Sequence, residues 1–134
     1  MLLQLIPELG RDGTVCGIIA MNDTGSDALT LFTADFPHLV NSLAYLGWNL
    51  LAAIMDSNGG IAFFPTILVQ VQLVRDDDTP WSDWIDEYAI VRQPDPNVPR
   101  LTGTRMRRVL YFSTAPGNHL LAVSGTKGGL TSLL

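Results

Sequence analysis

The sequence predicts an all-β domain, mainly β with one short helix near the C-terminus. Three observations carry that expectation. Short apolar and β-branched runs follow one another, punctuated by Gly, Pro and Asn. Residues 67–73 alternate with period two, Ile67, Val69, Val71 and Leu73 on one side and Leu68, Gln70 and Gln72 on the other. No stretch sustains a long helical period. At 134 residues, 47% hydrophobic and 16% charged, residues 1–134 read as a single domain large enough to bury a core without disulfides. A mean hydropathy of +0.24 is dry for so small a monomer, which points to apolar surface shared with a second chain.

The elements follow in order. Leu2-Leu3-Gln4-Leu5-Ile6, ended by Pro7, is a terminal strand that needs a sheet to join. After an Arg11-Asp12-Gly13 turn, residues 14–21 form a β-rich run that ends at Asn22-Asp23-Thr24-Gly25-Ser26, and residues 28–32 are apolar again. Residues 37–46 carry a loose helical period through Leu39, Leu43 and Leu46, and read as a short helix or an irregular loop. Residues 50–55 and 61–64 flank Asp56-Ser57-Asn58-Gly59-Gly60. Apolar arms around an Asn-Gly pair predict a protruding hairpin. Asp76-Asp77-Asp78-Thr79-Pro80 is a turn and residues 88–91 a returning strand. Three prolines extend residues 94–99. Residues 104–111 read as the short helix, capped by Thr104, and residues 120–123 and 130–134 as closing strands around a glycine-rich turn.

Composition excludes several function classes. A formal charge of −5 with only eight Lys and Arg argues against an extended nucleic-acid footprint. No run reaches the length of a membrane span, and the first nine residues lack a signal peptide's basic start, so an intracellular location is expected. Cys16 is alone, and His38 and His119 lie far apart, so no metal site is expected. Gly125-Thr126-Lys127-Gly128-Gly129 lacks the register of a phosphate-binding loop. No Gly-x-Ser-x-Gly elbow supports a serine hydrolase.

The chemistry concentrates at Asp23-Thr24-Gly25-Ser26. In a chain of this length the tetrad arises by chance well under about one time in a hundred. A carboxylate on a tight turn at a strand end is held rigidly; Gly25 lets the backbone turn closely, and the neighbouring hydroxyls offer hydrogen bonds. The same four residues also make a good polar β-turn, and the tetrad by itself does not separate the two readings.

The order of parts resembles the retroviral-type aspartic proteases, or retropepsins, over nearly the whole chain. In that family an apolar strand enters Asp-Thr/Ser-Gly, a glycine-tipped flap hairpin follows, and an apolar-apolar-Gly stretch opens a short helix. Here these parts match Asp23-Thr24-Gly25, the hairpin tip at Asn58, Gly59 and Gly60, and Leu101-Thr102-Gly103. Residues 23–32, with Arg100-Leu101-Thr102-Gly103 and Ala115-Pro116-Gly117-Asn118, are more narrowly similar to a group of uncharacterised fungal proteins with a retropepsin-like domain.

The resemblance implies a retropepsin-like closed β-barrel, the acid protease fold, acting as an aspartic endopeptidase without a cofactor. The chemistry takes two carboxylates sharing one proton around a water, and this chain carries one motif; a two-fold homodimer supplies the second. The resemblance makes Asp23 the catalytic carboxylate, Thr24 a tie between the two active-site loops, and Gly25 the close neighbour of the substrate backbone. Ser26 becomes a hydroxyl donor to the carboxylate, which would favour its charged form and draw the optimum toward acid. Asp27 matches an acid that anchors substrate main chain, and Asn58, Gly59, Gly60 and Ile61 match the flap. Leu29, Ile54, Ile61 and Phe63 are candidate pocket walls and equally candidate core. The partners implied are a second copy and a peptide or protein substrate, with neither nucleic acid nor membrane.

Three departures stand beside the match. Asn22 takes a place that is usually apolar, and a buried amide there needs partners or costs stability. Thr104 stands where many members have an arginine that pairs with the second acid, leaving Arg105, Arg107 and Arg108 as replacements. The flap has no assured aromatic. A catalytically inactive dimeric binding or scaffold module on the same fold is therefore the alternative.

Overall fold

The computed structural model describes the chain except residues 11–13, 24, 40–44, 56–58, 115–116, 118–120 and 134, with backbone alone at residues 50–55. Eight strands are present among the described residues: β1 Leu2–Leu5, β2 Val15–Gly17, β3 Leu29–Phe32, β4 Trp48–Met55, β5 Ile61–Gln72, β6 Ile85–Arg92, β7 Tyr111–Thr114 and β8 Leu121–Ser124. Two short helices join them, α1 Met106–Val109 and α2 Lys127–Leu133, with 3-10 turns at Pro7–Leu9 and Thr33–His38.

The period-two run lies inside β5, which organises the main sheet. One edge of β5 pairs antiparallel with β4 through Ile61–Ile67 and with β1 through Val69–Gln72; the other pairs antiparallel with β6. Beyond these, β2 pairs with β1, and β3 lies parallel to β6, giving the order β2-β1-β5-β6-β3. Register puts Leu3 opposite Val71, Leu5 opposite Val69, Ile67 opposite Ala89, and Ala89 opposite Leu29. All of these are buried on one face, where Leu39, Tyr45 and Met106 complete the core. Each fully buried Leu, Ile or Val here contributes about 1.5–3 kcal/mol. On the other face Gln4 Nε2 donates to Gln70 Oε1 (2.8 Å), and Gln70 Nε2 to Asp86 Oδ1 (2.9 Å).

A mainly β architecture is thus present, with two corrections. The main sheet of the described residues is open, not a closed barrel: β2 and β3 end the strand order without meeting, and β7 and β8 pair with each other as a separate hairpin. Of the closing strand expected at residues 130–134, the described residues 130–133 are instead part of α2. The hydroxyl of Thr126 accepts the Gly129 N–H at 3.0 Å, the Leu130 N–H reaches the Thr126 carbonyl at 3.1 Å, and the hydroxyls of Thr131 and Ser132 donate back to the carbonyls of Gly128 and Gly129. A side-chain cap on the first turn outweighs the β-like look of the apolar tail.

The hairpin at residues 50–64 forms as expected, Met55 pairing with Ile61, and Gly59 adopts φ 79° at its tip. Within residues 37–46 the described helical part is the end of the 3-10 turn at His38. The helix expected over residues 104–111 shrinks to α1, and Thr104 does not cap it. No helix among the described residues is long and apolar enough to cross a membrane.

Candidate functional site

Asp23 sits where two distant pieces of chain meet. Met21 forms an isolated parallel bridge with Leu101; its N–H reaches the Arg100 carbonyl at 2.8 Å, and the Thr102 N–H reaches the Met21 carbonyl at 3.0 Å. Leu101 in turn accepts the Thr30 N–H at 3.0 Å, so residues 100–102 bridge the approach to Asp23 and the start of β3. Arg100 is itself pinned. Its guanidinium grips the Asp35 carboxylate at 2.5 and 3.2 Å and lies 4.7 Å over the Phe32 ring, while Asp35 also takes the Phe32 N–H at 2.9 Å. A two-pronged, largely buried pair of this kind fixes orientation as well as adding attraction.

The turn itself is local. Asp23 is half-buried, and its Oδ1 accepts the Gly25 N–H at 2.9 Å, the side-chain-to-backbone bond that Asp at the head of a turn makes readily. The Asp23 N–H donates to Thr102 Oγ1 at 3.2 Å. Ser26 departs from expectation: its hydroxyl donates to the Ala28 carbonyl at 2.7 Å. It is therefore spent on the backbone, and the acid-shifted optimum that rested on its donation to Asp23 loses its premise.

Behind the turn stands Arg107. Its Nη2 donates to the Ser26 carbonyl at 2.7 Å and its Nη1 to Thr102 Oγ1 at 2.9 Å. Of the three candidate arginines it is the one that reaches the motif, holding a carbonyl of the turn rather than the Asp27 carboxylate. Thr104, expected as a helix cap, donates its hydroxyl to the same Ser26 carbonyl at 3.1 Å. Two donors on one carbonyl fasten the far side of the Asp23 turn to α1.

A residue absent from the sequence reading holds α1 in turn. Glu87, on β6, is wholly buried, and its carboxylate accepts the N–H groups of Arg105 (3.2 Å) and Met106 (3.1 Å). Burial pushes its carboxyl up from the ordinary glutamate value, against the pull of those two N–H groups and of Arg105 and Arg107. Gly103 is required beside it, because a Cβ there would overlap the Glu87 carboxylate. The signal existed in the sequence: Glu87 shares the period of Ile85, Ala89 and Val91, and an acid on an apolar strand face demands partners.

The other proposed site residues are dispersed. Asp27 is exposed and Gly25 is exposed at the turn. Gly59, Gly60 and Ile61 are exposed on the β4–β5 arm, Ile61 at 62% and Phe63 beyond it at 65%. The described hydrogen bonds that fasten the Asp23 turn come from residues 102–107 and not from this arm. Thr24 and Asn58 lie outside the described residues, as does the Ile54 side chain, and Leu29 is core. Beside Asp23, Asn22 buries its Oδ1 with no hydrogen-bond partner among the described residues. Among those residues no group of three or more His, Cys, Asp or Glu side chains is placed to hold a metal ion.

No family model, curated protein or solved structure matches the chain.

Proposed function

We propose that the chain is an aspartic endopeptidase of retropepsin type, active as a homodimer. Two copies of Asp23 meet across a two-fold axis and share one proton around a water: one carboxylate takes a proton from the attacking water, and the other protonates the scissile carbonyl oxygen. An extended peptide pairs its main chain between the sheet and the β4–β5 arm, whose exposed Ile61 and Phe63 supply apolar cover.

The observation that carries this reading is the fastening of the Asp23 turn. A half-buried carboxylate on a turn secured through Thr102, Thr104 and Arg107 has the rigidity that catalysis by fixed geometry requires, and an ordinary surface turn needs none of it. The test is incubation with a mixed peptide library from acid to neutral pH, with Asp23→Asn and a statine-type inhibitor alongside. Cleavage should fall by about a thousandfold or more in the variant and be blocked by the inhibitor. Cuts that persist equally in Asp23→Asn would overturn the enzyme reading.

One observation favours the alternative, a dimeric binding module that keeps the turn without catalysis. The unpartnered Asn22 Oδ1 lies next to the acid, and a buried polar group left unpaired costs about 1–3 kcal/mol. Absence of any cleavage with an intact fold would select this reading.

A further inference from the structure

Glu87 takes no part in the proposed chemistry, yet its carboxylate is wholly buried and both its oxygens are engaged. Oε1 accepts the Arg105 N–H at 3.2 Å and Oε2 the Met106 N–H at 3.1 Å. The Arg107 N–H bonds back to the Thr104 carbonyl at 3.1 Å, so residues 104–107 close into one turn with the carboxylate seated against its middle.

The Asp23 turn hangs on the two outer members of that same turn. Arg107 places Nη2 on the Ser26 carbonyl at 2.7 Å and Nη1 on Thr102 Oγ1 at 2.9 Å, and the same Thr102 oxygen accepts the Asp23 N–H at 3.2 Å. Thr104 adds its hydroxyl to the Ser26 carbonyl at 3.1 Å. Thr104 and Arg107, which hold the motif, thus flank Arg105 and Met106, which Glu87 holds. Peptide units are rigid, so a closed turn cannot shift at its middle and leave its ends in place.

We propose that Glu87 is a positioning residue for the Asp23 turn: its carboxyl sets where residues 104–107 sit, and Thr104 and Arg107 carry that placement to the Ser26 carbonyl and the Asp23 N–H. The hold varies with the charge on Glu87. Arg105 and Arg107 face it from the α1 side, Val69 stands opposite it on β5, and β3 brings no ionisable group. The arginines and the two N–H groups favour the carboxylate, but burial outweighs them, and the carboxyl keeps its proton above the ordinary glutamate range. Lifting residues 104–107 admits water to Glu87 and relieves that cost, so ionisation favours the lifted arrangement. Rising pH therefore loosens the Asp23 turn, and a preference for acid arises by a route that does not pass through Ser26. The turn's use in cleavage rests on the peptidase reading; its hold is a property of the fold and is read without any substrate.

Amide hydrogen exchange followed by NMR from about pH 4 to about pH 8 tests this, each rate being compared with that of an unstructured peptide at the same pH. The Met106 amide reports the grip of Glu87, the Asp23 amide reports the turn, and the Val69 amide, in the middle of the main sheet, reports global unfolding. Protection at Met106 and Asp23 should lie below that at Val69 and fall together by about threefold or more as Glu87 ionises. Glu87→Gln, which does not titrate, should abolish the step at both amides; ionisation of Asp23 itself is common to both proteins and drops out of the comparison. Arg107→Met should lower protection at Asp23 and remove its step while Met106 keeps its own, and this comparison decides alone where Glu87→Gln fails to fold. Arg108→Met, at an exposed position, should change neither. An Asp23 step of wild-type size in Glu87→Gln or in Arg107→Met would overturn the proposal, as would protection at Asp23 equal to that at Val69, because the turn would then open only with the whole fold. The expected steps in a chain that cleaves no peptide would sink the peptidase reading and leave the role of Glu87 standing.

Discussion

Asp23 was legible as a residue because its chemistry is local: a carboxylate, a glycine two positions on and a turn are all written within four residues. Glu87 shows the opposite case. Its partners, the N–H groups of Arg105 and Met106, lie 18 and 19 residues away, so the strand period could mark it as anomalous but not say what satisfies it. Asp35 and Arg100, 65 residues apart, left no sequence signal of their pairing. Glu87 also gives a pH dependence whose sign is fixed. Its native carboxyl holds its proton more tightly than the unfolded chain does, because burial disfavours the charge. Between the ordinary glutamate pKa and the raised native one, the folded state therefore binds more protons than the unfolded state. Glu87's contribution to stability is complete below that window and is lost as pH rises through the native value. Urea unfolding at a series of pH values measures it. The difference between wild type and Glu87→Gln should slope downward across that window and be flat on either side, and a flat difference throughout would refute the assignment.

Elements were legible where one principle dominated. Period two located β5 and its buried face, and an Asn-Gly pair between apolar arms located the β4–β5 hairpin, because both signals are short-range. The C-terminal segment was misread because a short apolar run does not distinguish strand from helix; the Thr126 cap decided for helix. Strand β7 was hidden behind the arginine spacing of residues 105–108, which extended the expected helix through Tyr111. Thr104 was correctly singled out, but for the wrong end: its hydroxyl serves the Asp23 turn, leaving Glu87 to receive the α1 N–H groups. The α1 turn is thus positioned by a contact between a strand and a glycine, which predicts a sharp steric test. Gly103→Ala drives a Cβ into the Glu87 carboxylate and should destabilise by about 1–3 kcal/mol. Combining it with Glu87→Ala vacates the space, so the pair should cost less than the two changes added, with a coupling of about 1 kcal/mol or more. Chemical denaturation of the four proteins in that cycle reads the coupling, and strict additivity would remove Glu87 as the anchor of α1.

At the scale of the molecule, the sheet topology brings residues 21–23 beside residues 100–102, a juxtaposition across nearly 80 positions that neither composition nor period contains. Barrel closure depended on long-range pairing of the same sort, and the strands at the two ends of the order remain apart. The exposed apolar residues, among them Leu133 on α2 and Leu121 on β8, leave surface that self-association can cover. Oligomeric state alone does not separate an enzyme from a binding module, but the composition of the active unit does. If one catalytic centre draws an Asp23 from each of two chains, a mixed dimer of wild type and Asp23→Asn has a single ionisable acid at the axis and is inactive. Unfolding equal amounts of the two proteins together and refolding them yields random pairing, in which about a quarter of the dimers hold two intact chains. Peptidase activity per total protein should then fall to about a quarter of the wild-type value, whereas sites built within one chain would leave about half. Sedimentation at the assay concentration should find dimers, and a residual activity of half would mean that each chain cleaves alone.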